Sequence, residues 1–153
     1  MKITAQEEYG LRCLLQLARV PGGTLISVKE IAAKEGLSCA NVEKLLRLMS
    51  QSGLAHSVRG VKGGYALNRS ATQITLGEVI RVLGNMPTTK EICHVFTGTQ
   101  QACVHFSDCG IRSVWSGLTS YIQSFLDQTT LASLLGQEYV VSEQLSKRGN
   151  GKT

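Results

Sequence analysis

The chain has 153 residues, a formal net charge of +5 and five cysteines. This length limits it to one domain, or to one domain with an appendage, and the basic charge suits a polyanionic partner. No stretch reaches membrane-spanning length, and Glu7 and Glu8 stand where the apolar run of a signal peptide would begin. We therefore expect a cytoplasmic protein with reduced thiols and no membrane partner.

The first two helices are predicted from periodicity and from capping residues. An apolar stripe at helical spacing predicts a helix over residues 5–20. The stripe consists of Leu11, Leu14, Leu15 and Ala18. Pro21 ends this helix. Ser27 then caps a second helix, because Glu30 completes a capping box three residues further on.

A third helix is predicted to begin at Ser38, shortly after Gly36 ends the second. Its apolar positions follow the helical period and are Val42, Leu45, Leu46 and Met49. Gly53 ends it. Two helices around a tight turn that contains glycine are typical of a helix-turn-helix.

A hairpin is predicted next, with strands over residues 54–58 and 64–67 around the loop 59–63. A hairpin directly after a helix-turn-helix is a wing. Thr75 then caps a short helix over residues 75–84, with Glu78 completing a second capping box.

Polar side chains on the third helix and the wing suit DNA. Lys44 and Arg47 can neutralise phosphate or read guanine. Glu43 can accept a hydrogen bond from cytosine, and Asn41 can pair with adenine. In the wing, the glycines permit a tight loop, and an arginine at its tip can enter a narrow minor groove. The loop lacks the spacing of a nucleotide-binding P-loop. The predicted DNA-binding residues are Ser38, Asn41, Glu43, Lys44, Arg47, Arg59, Lys62, Gly63, Gly64 and Tyr65.

Three cysteines lie close together in a polar segment, at Cys93, Cys103 and Cys109. Gathered thiols in a reducing compartment bind a metal or a cluster more often than they form disulfides. Their spacing does not match the paired cysteines of structural zinc sites. Chemistry alone leaves a cluster, zinc and plain thiols open. Cys13 and Cys39 are interpreted as small packing residues.

A long helix is predicted over residues 111–128, with a heptad seam that suits a second copy of the chain. The seam consists of Ile111, Trp115, Leu118, Ile122 and Phe125. Packing on the chain's own core is the alternative. The predicted organisation is thus a mainly α fold with four parts. They are a winged helix-turn-helix over 1–84, a cluster loop over 85–110, a dimerisation helix with a C-terminal helix over 111–141, and a disordered tail over 142–153.

The stretch SVRGVKGGYAL at residues 57–67 resembles the wing of the IscR/NsrR-type transcription regulators, the Rrf-two family. The opening EYGLR at residues 8–12 and TLGEVI at 75–80 are similar to that family as well. The resemblance implies a winged-helix homodimer crossed through its long helices and bound to a partly palindromic double-stranded operator. It also implies that Ser38, Glu43 and Arg59 match the family's DNA-contact positions.

The resemblance further implies an iron–sulfur cluster on Cys93, Cys103 and Cys109. Some members complete the ligand set with a histidine three residues after the last cysteine, where this chain has Arg112. Others use a carboxylate from the first helix of the partner subunit, and Glu8 matches that position. Helical phase does not choose between Glu8 and Glu7. The remaining candidates for the fourth ligand are His94 and His105.

The expected function is a homodimeric transcription regulator, not an enzyme, whose operator affinity depends on the cluster. A labile ligand would make the cluster a sensor of redox state, nitric oxide, oxygen or iron supply. A 4Fe–4S cluster is favoured slightly over 2Fe–2S, because each iron then receives one protein ligand. The alternatives are a winged-helix regulator with a zinc or thiol redox switch, and an iron–sulfur electron carrier. No small-molecule substrate is expected.

Overall fold

The computed structural model describes residues 3–84, 98–99 and 103–149. Cys93 and His94, with most of the predicted cluster loop, lie outside the described residues. The elements in chain order are α1 (Ala5–Ala18), α2 (Val28–Glu35), α3 (Cys39–Gln51), β1 (Ala55–Val58), β2 (Gly64–Leu67), α4 (Leu76–Leu83), α5 (Gly110–Gln128), a 3-10 turn (Leu131–Leu134) and α6 (Glu138–Gly149). Within these residues no helix combines the length and the apolar character needed to cross a membrane.

Capping boxes fix where three of the helices begin. The predicted boxes of Ser27 with Glu30 and of Thr75 with Glu78 are present at the starts of α2 and α4. A third box, in which Thr4 caps α1 and Glu7 reaches back to it, had not been predicted. Each box satisfies backbone N–H groups that a helix start otherwise leaves unpaired, and so each defines the first turn locally.

The core lies between α1, α2, α3 and α4. All four apolar positions predicted for α3 are buried, and Glu43, Lys44 and Arg47 lie on an exposed face of the helix. In α1 the buried residues include Cys13 and Leu17, which the predicted stripe omitted, while Leu11 and Leu15 are only partly buried. The buried face of α1 is therefore rotated about the helix axis relative to the predicted apolar stripe. This is because α1 contacts three other helices, α2, α3 and α4.

The wing is an antiparallel pair whose register runs from Ala55 opposite Leu67 to Val58 opposite Gly64. Near its loop end, strand β2 is tied to the connection between α1 and α2 by a bridge of Ile26 and Tyr65. Each of these residues donates its N–H to the carbonyl of the other at 2.9 Å. The wing is thus anchored to the helical core, and the fold is the predicted winged helix-turn-helix.

The long helix α5 is joined to α4 near its C-terminal end. Arg81 of α4 donates to both carboxylate oxygens of Asp127 at 2.6 and 2.7 Å. Gly77 leaves room for this pair, since a Cβ there would lie 1.8 Å from an Asp127 oxygen. Just beyond the helix, the Leu76 N–H donates to the Thr129 carbonyl at 2.8 Å.

The predicted seam of α5 is covered only in its second half. Ile122 and Phe125 are partly buried, whereas Ile111, Trp115 and Leu118 are 66%, 43% and 48% exposed. Within the described residues, the chain's own core therefore leaves the first half of the seam exposed.

The C-terminal tail differs from the prediction of disorder over residues 142–153. The structure continues α6 through Gly149, so residues 142–149 are helical. Glu143 and Lys147 form an ion pair at 2.8 Å one turn apart. Such pairs stabilise exposed helices, and the prediction of disorder, which relied on amino-acid composition, did not take them into account.

Candidate nucleic-acid interface and cysteine site

The exposed face of α3 carries the predicted base-reading residues. Glu43, Lys44 and Arg47 are exposed, and α3 turns its buried stripe away from them. Ser38 caps the helix, because its hydroxyl accepts the N–H of Asn41 at 3.2 Å. This cap sets the start of the helix, so Ser38 has a structural role beside any contact with DNA.

Asn41 is half-buried rather than freely presented. It lines a small cleft between α1 and α3 together with Gln6, Tyr9 and Lys44. The first turn of α1 thus lies beside the start of α3. Any molecule that Asn41 contacts there also meets the side chains of α1.

The tip of the wing presents positive charge. Arg59 and Lys62 are exposed on either side of Val61, which is fully exposed. These side chains extend from a tip beside the bridge of Ile26 and Tyr65, which ties the adjoining part of strand β2 to the helical core. The roles of Arg59 and Lys62 in DNA binding remain predictions.

Close backbone contacts in the fold explain why residues 63 and 64 are glycines. A Cβ on Gly63 would lie 2.3 Å from the Val58 carbonyl oxygen, and one on Gly64 would lie 2.6 Å from that of Ile26. The backbone thus approaches itself closely inside the wing at Gly63, and between the wing and the α1–α2 connection at Gly64. The half-buried Tyr65 continues the same contact through its bridge to Ile26.

Cys103 and Cys109 flank a short turn that leads into α5. Both are partly exposed, and the Phe106 N–H donates to the Cys103 carbonyl at 3.0 Å to close the turn. Cys109 is the N-cap of α5, but its side chain makes no capping hydrogen bond. The Cys109 sulfur therefore lies at the start of α5 without being used to cap the helix.

These two thiols fit a soft metal or cluster as part of its ligand set. Within the described ranges no group of three or more metal-ligating side chains forms. Cys93 lies outside those ranges, and His105 is exposed in the same turn. A complete site therefore requires donors in addition to Cys103 and Cys109.

Arg112 occupies the position at which some relatives were expected to place a histidine ligand. Its Nη2 donates to the carbonyl oxygens of Phe106 at 2.5 Å and of His105 at 3.4 Å. Its guanidinium lies over the Phe106 ring, 5.5 Å from the ring centre. Arg112 is thus engaged with the turn that carries the cysteines.

The two neighbouring carboxylates of α1 have different surroundings. Glu7 is 7% exposed and accepts the N–H and hydroxyl of Thr4 at 2.7 and 2.9 Å. It also packs on Gly84, where a Cβ would lie 1.9 Å from a Glu7 oxygen. Glu8 is exposed and interacts electrostatically with Arg12. Glu7 is therefore committed to the fold, whereas Glu8 is accessible to another molecule.

The other two cysteines differ from each other. Cys13 is fully buried in the core, as predicted, and burial raises the pKa of its thiol to about 11. Cys39, also predicted as a packing residue, is instead exposed. It is the first residue of α3, outside the buried stripe of that helix. Cys39 is therefore an accessible thiol beside the candidate DNA-reading face.

A polar network that sequence reasoning missed ties α1 to the end of α2. Arg12 donates through Nε to the Glu35 carboxylate at 2.7 Å and through Nη2 to the Glu35 carbonyl at 3.0 Å. Gln16 donates to the other oxygen of this carboxylate. The hydrogen bond to Glu35 raises the pKa of Arg12. The network fixes the helix that precedes the turn into α3.

The helix-turn-helix, the wing with its cationic tip and the exposed face of α3 define a winged-helix DNA-binding protein. The family model of Rrf2, described as an iron-dependent transcriptional regulator, matches residues 3–137. The chain belongs to the Rrf2 family of transcription regulators, and its relatives are regulators rather than enzymes.

Individual relatives agree with this assignment. Protein rrf2 of Nitratidesulfovibrio vulgaris is 31% identical over 135 residues, which span 88% of this chain and 87% of that protein. The structure of CymR, described as the global cysteine regulator of B. subtilis, has a TM-score of 0.72 and 31% identity, covering 88% of this chain and 96% of CymR. The structure of T. potens IscR has a TM-score of 0.68 and 27% identity, covering 100% of this chain and 93% of IscR.

Proposed function

We propose that this transcription regulator is a homodimer whose affinity for a double-stranded operator is set by an iron–sulfur cluster. The observation that carries the proposal is the pair Cys103 and Cys109 just before α5, where the Cys109 side chain makes no capping hydrogen bond. The family's description as iron-dependent regulators and the similarity to IscR support the same reading.

The proposed ligands are Cys93, Cys103, Cys109 and Glu8 of the partner subunit. Thiolates are soft donors suited to iron–sulfur clusters, whereas a carboxylate oxygen is a harder donor that holds iron less tightly. Glu8 is preferred over Glu7 because Glu7 is buried in a capping box. The cluster, when bound, supplies a redox-sensitive iron centre. Our preference for 4Fe–4S over 2Fe–2S rests on ligand number alone.

The proposed dimer interface is the first half of α5. An apolar face that includes Ile111, Trp115 and Leu118 is exposed in the single chain. An exposed apolar helix face of this kind is typical of a protein interface, and the same helix of a second copy is self-complementary to it. Two copies joined in this way would carry two recognition helices to the two halves of a partly palindromic site.

DNA contact is proposed through α3 and the wing. Lys44 and Arg47 are exposed cations on α3, and Arg59 and Lys62 are exposed cations at the tip of the wing. Glu43, Asn41 and Ser38 lie at the amino-terminal part of α3, the part of a recognition helix that meets base edges in the major groove. Phosphate contacts then give affinity, and the α3 contacts give specificity.

Anaerobic reconstitution tests the cluster proposal. We expect iron and acid-labile sulfide to be retained after desalting, with visible absorption. An operator is first obtained by sequencing the genomic fragments that the purified protein retains, and its binding is then compared with and without the cluster. A colourless protein without sulfide, or identical operator affinity in both states, would refute cluster control.

The fourth ligand is tested with a matched pair of variants. Glu8→Gln removes an accessible carboxylate, and we expect faster loss of the cluster in air. Glu7→Gln is the control, since glutamine also completes a capping box. Equal cluster lifetimes for Glu8→Gln and the wild type would remove Glu8 from the ligand set.

A second candidate function is a winged-helix regulator with a thiol redox switch. The exposed Cys39 at the start of α3 favours it, and so does similarity to CymR, described as a cysteine regulator. Oxidation of this thiol would change charge and size beside the DNA-reading face. Peroxide treatment of metal-free wild type and Cys39→Ala tests this function. Equal loss of operator binding in both would exclude Cys39 as the switch.

A further inference from the structure

Arg112 makes four contacts with the turn between Cys103 and Cys109, three of them through its side chain. Its guanidinium donates to the carbonyls of Phe106 and His105 and lies over the ring of Phe106. Its own backbone N–H donates to the Cys109 carbonyl at 3.1 Å. One side chain in the first turn of α5 therefore holds the whole turn back against the helix.

The residues held in this way are otherwise poorly anchored. The Phe106 ring is 57% exposed and Val104 is 64% exposed, so burial contributes little to fixing the turn. The hydrogen bond from the Phe106 N–H to the Cys103 carbonyl is internal to the turn. Ordering an exposed segment has an entropic cost for each residue, and charge-assisted hydrogen bonds from Arg112 offset part of it.

The Nε–H group of Arg112 is a further hydrogen-bond donor. It is buried and has no acceptor among the described residues. A buried donor without an acceptor is unfavourable, so this group favours an acceptor that completes the site. The positive charge of Arg112 also suits an anionic centre formed on thiolates.

We propose that Arg112 is a positioning residue that holds the 103–109 turn against α5 and so sets the spacing of the Cys103 and Cys109 thiolates before the cluster binds. This inference rests on the proposed cluster function. Some relatives are expected to have a histidine ligand at the position of Arg112. In this chain, Arg112 would position the cysteines without itself binding the cluster.

Hydrogen exchange of the metal-free protein tests the positioning without a cluster. In Arg112→Gln we expect amides of the 103–109 turn to exchange about tenfold faster, since the two hydrogen bonds to carbonyls are lost. Arg112→Lys keeps the charge and one donor direction, and its exchange should be intermediate. The control is Arg81→Gln, which removes an arginine contact to the same helix about 22 Å further along at 1.5 Å per residue.

Cluster uptake supplies the second readout. All four proteins are reconstituted anaerobically with iron and sulfide, and the rate of uptake and the visible circular dichroism of the product are recorded. We expect slower uptake and an altered spectrum for Arg112→Gln, partial recovery for Arg112→Lys, and wild-type behaviour for Arg81→Gln. Thermal melting of each variant shows that it is folded.

The outcomes separate this inference from the proposed function. Unchanged exchange in Arg112→Gln, or faster exchange with unchanged uptake and spectrum, overturns the role of Arg112. A wild-type protein that takes up no cluster overturns the proposed function. The exchange comparison then still decides whether Arg112 holds the turn.

Discussion

Gly64→Ala tests whether the wing depends on the close backbone contact between strand β2 and Ile26. A Cβ at residue 64 would lie 2.6 Å from the Ile26 carbonyl oxygen and 2.8 Å from its carbon, so the two backbones must separate. The two hydrogen bonds between Ile26 and Tyr65 are then lost or lengthened. At about 1 kcal/mol for each bond, the free energy of unfolding should fall by about 2 kcal/mol.

Thermal and urea unfolding measure this effect. For a chain of this size, 2 kcal/mol corresponds to a decrease of about 4–8 °C in Tm. The matched control is Gly22→Ala, because a Cβ at Gly22 has no atom within 4 Å. We expect that control to change the free energy of unfolding by less than about 0.5 kcal/mol.

The result also distinguishes two roles of Gly64. A glycine needed only for close approach to DNA would give normal stability and weaker operator binding when replaced by alanine. A glycine needed for the contact between strand β2 and Ile26 gives lower stability and weaker binding together. A Tm equal to that of wild type would refute the reasoning from the Ile26 contact.

Three further predictions follow from exposed and buried side chains. Arg59→Ala should weaken operator binding by about 1–3 kcal/mol in fluorescence anisotropy, and wild-type affinity would argue against a contact from the wing. Trp115→Asp should shift sedimentation toward the monomer, because it places a charge on the apolar face of α5; an unchanged dimer would exclude this interface. In the native protein at neutral pH, iodoacetamide should label the exposed Cys39 and spare Cys13, whose burial raises its pKa to about 11 and keeps the thiol protonated. Equal labelling of the two would contradict the buried position of Cys13.

Local signals in the sequence predicted the starts of two helices well. Ser27 with Glu30 and Thr75 with Glu78 are three residues apart, and their capping depends on little else. The same pattern occurs at Thr4 and Glu7, and it would have assigned Glu7 to the fold rather than to a ligand set. The winged helix-turn-helix was predictable because its helices, turn and hairpin each have such short-range signals.

Contacts between distant residues could not be read in the same way. No neighbouring residue in the sequence explains why a glycine stands at position 10 of α1. The structure does, because a Cβ there would lie 2.4 Å from a Leu83 side-chain carbon. Gln6 likewise donates to the Leu83 carbonyl at 2.5 Å. These contacts fix α1 to the end of α4, and periodicity within α1 carries no information about them. The half-buried position of Asn41 has the same origin, since α1 covers it.

The ion pair between Arg81 of α4 and Asp127 of α5 lies far from the cysteine turn, and this distance affects how motions of α5 would be transmitted. Asp127 is fixed by Arg81 over Gly77 at one end of α5, whereas Arg112 and the cysteine turn lie at the other end. A rotation of α5 by about 10° about Asp127 would displace its far end by about 4 Å, given a rise of 1.5 Å per residue. A small change in the angle between α4 and α5 would therefore correspond to a displacement of several ångströms at Cys109. Conversely, a shift of a few ångströms at the cysteines would correspond to a change of about 10° in that angle.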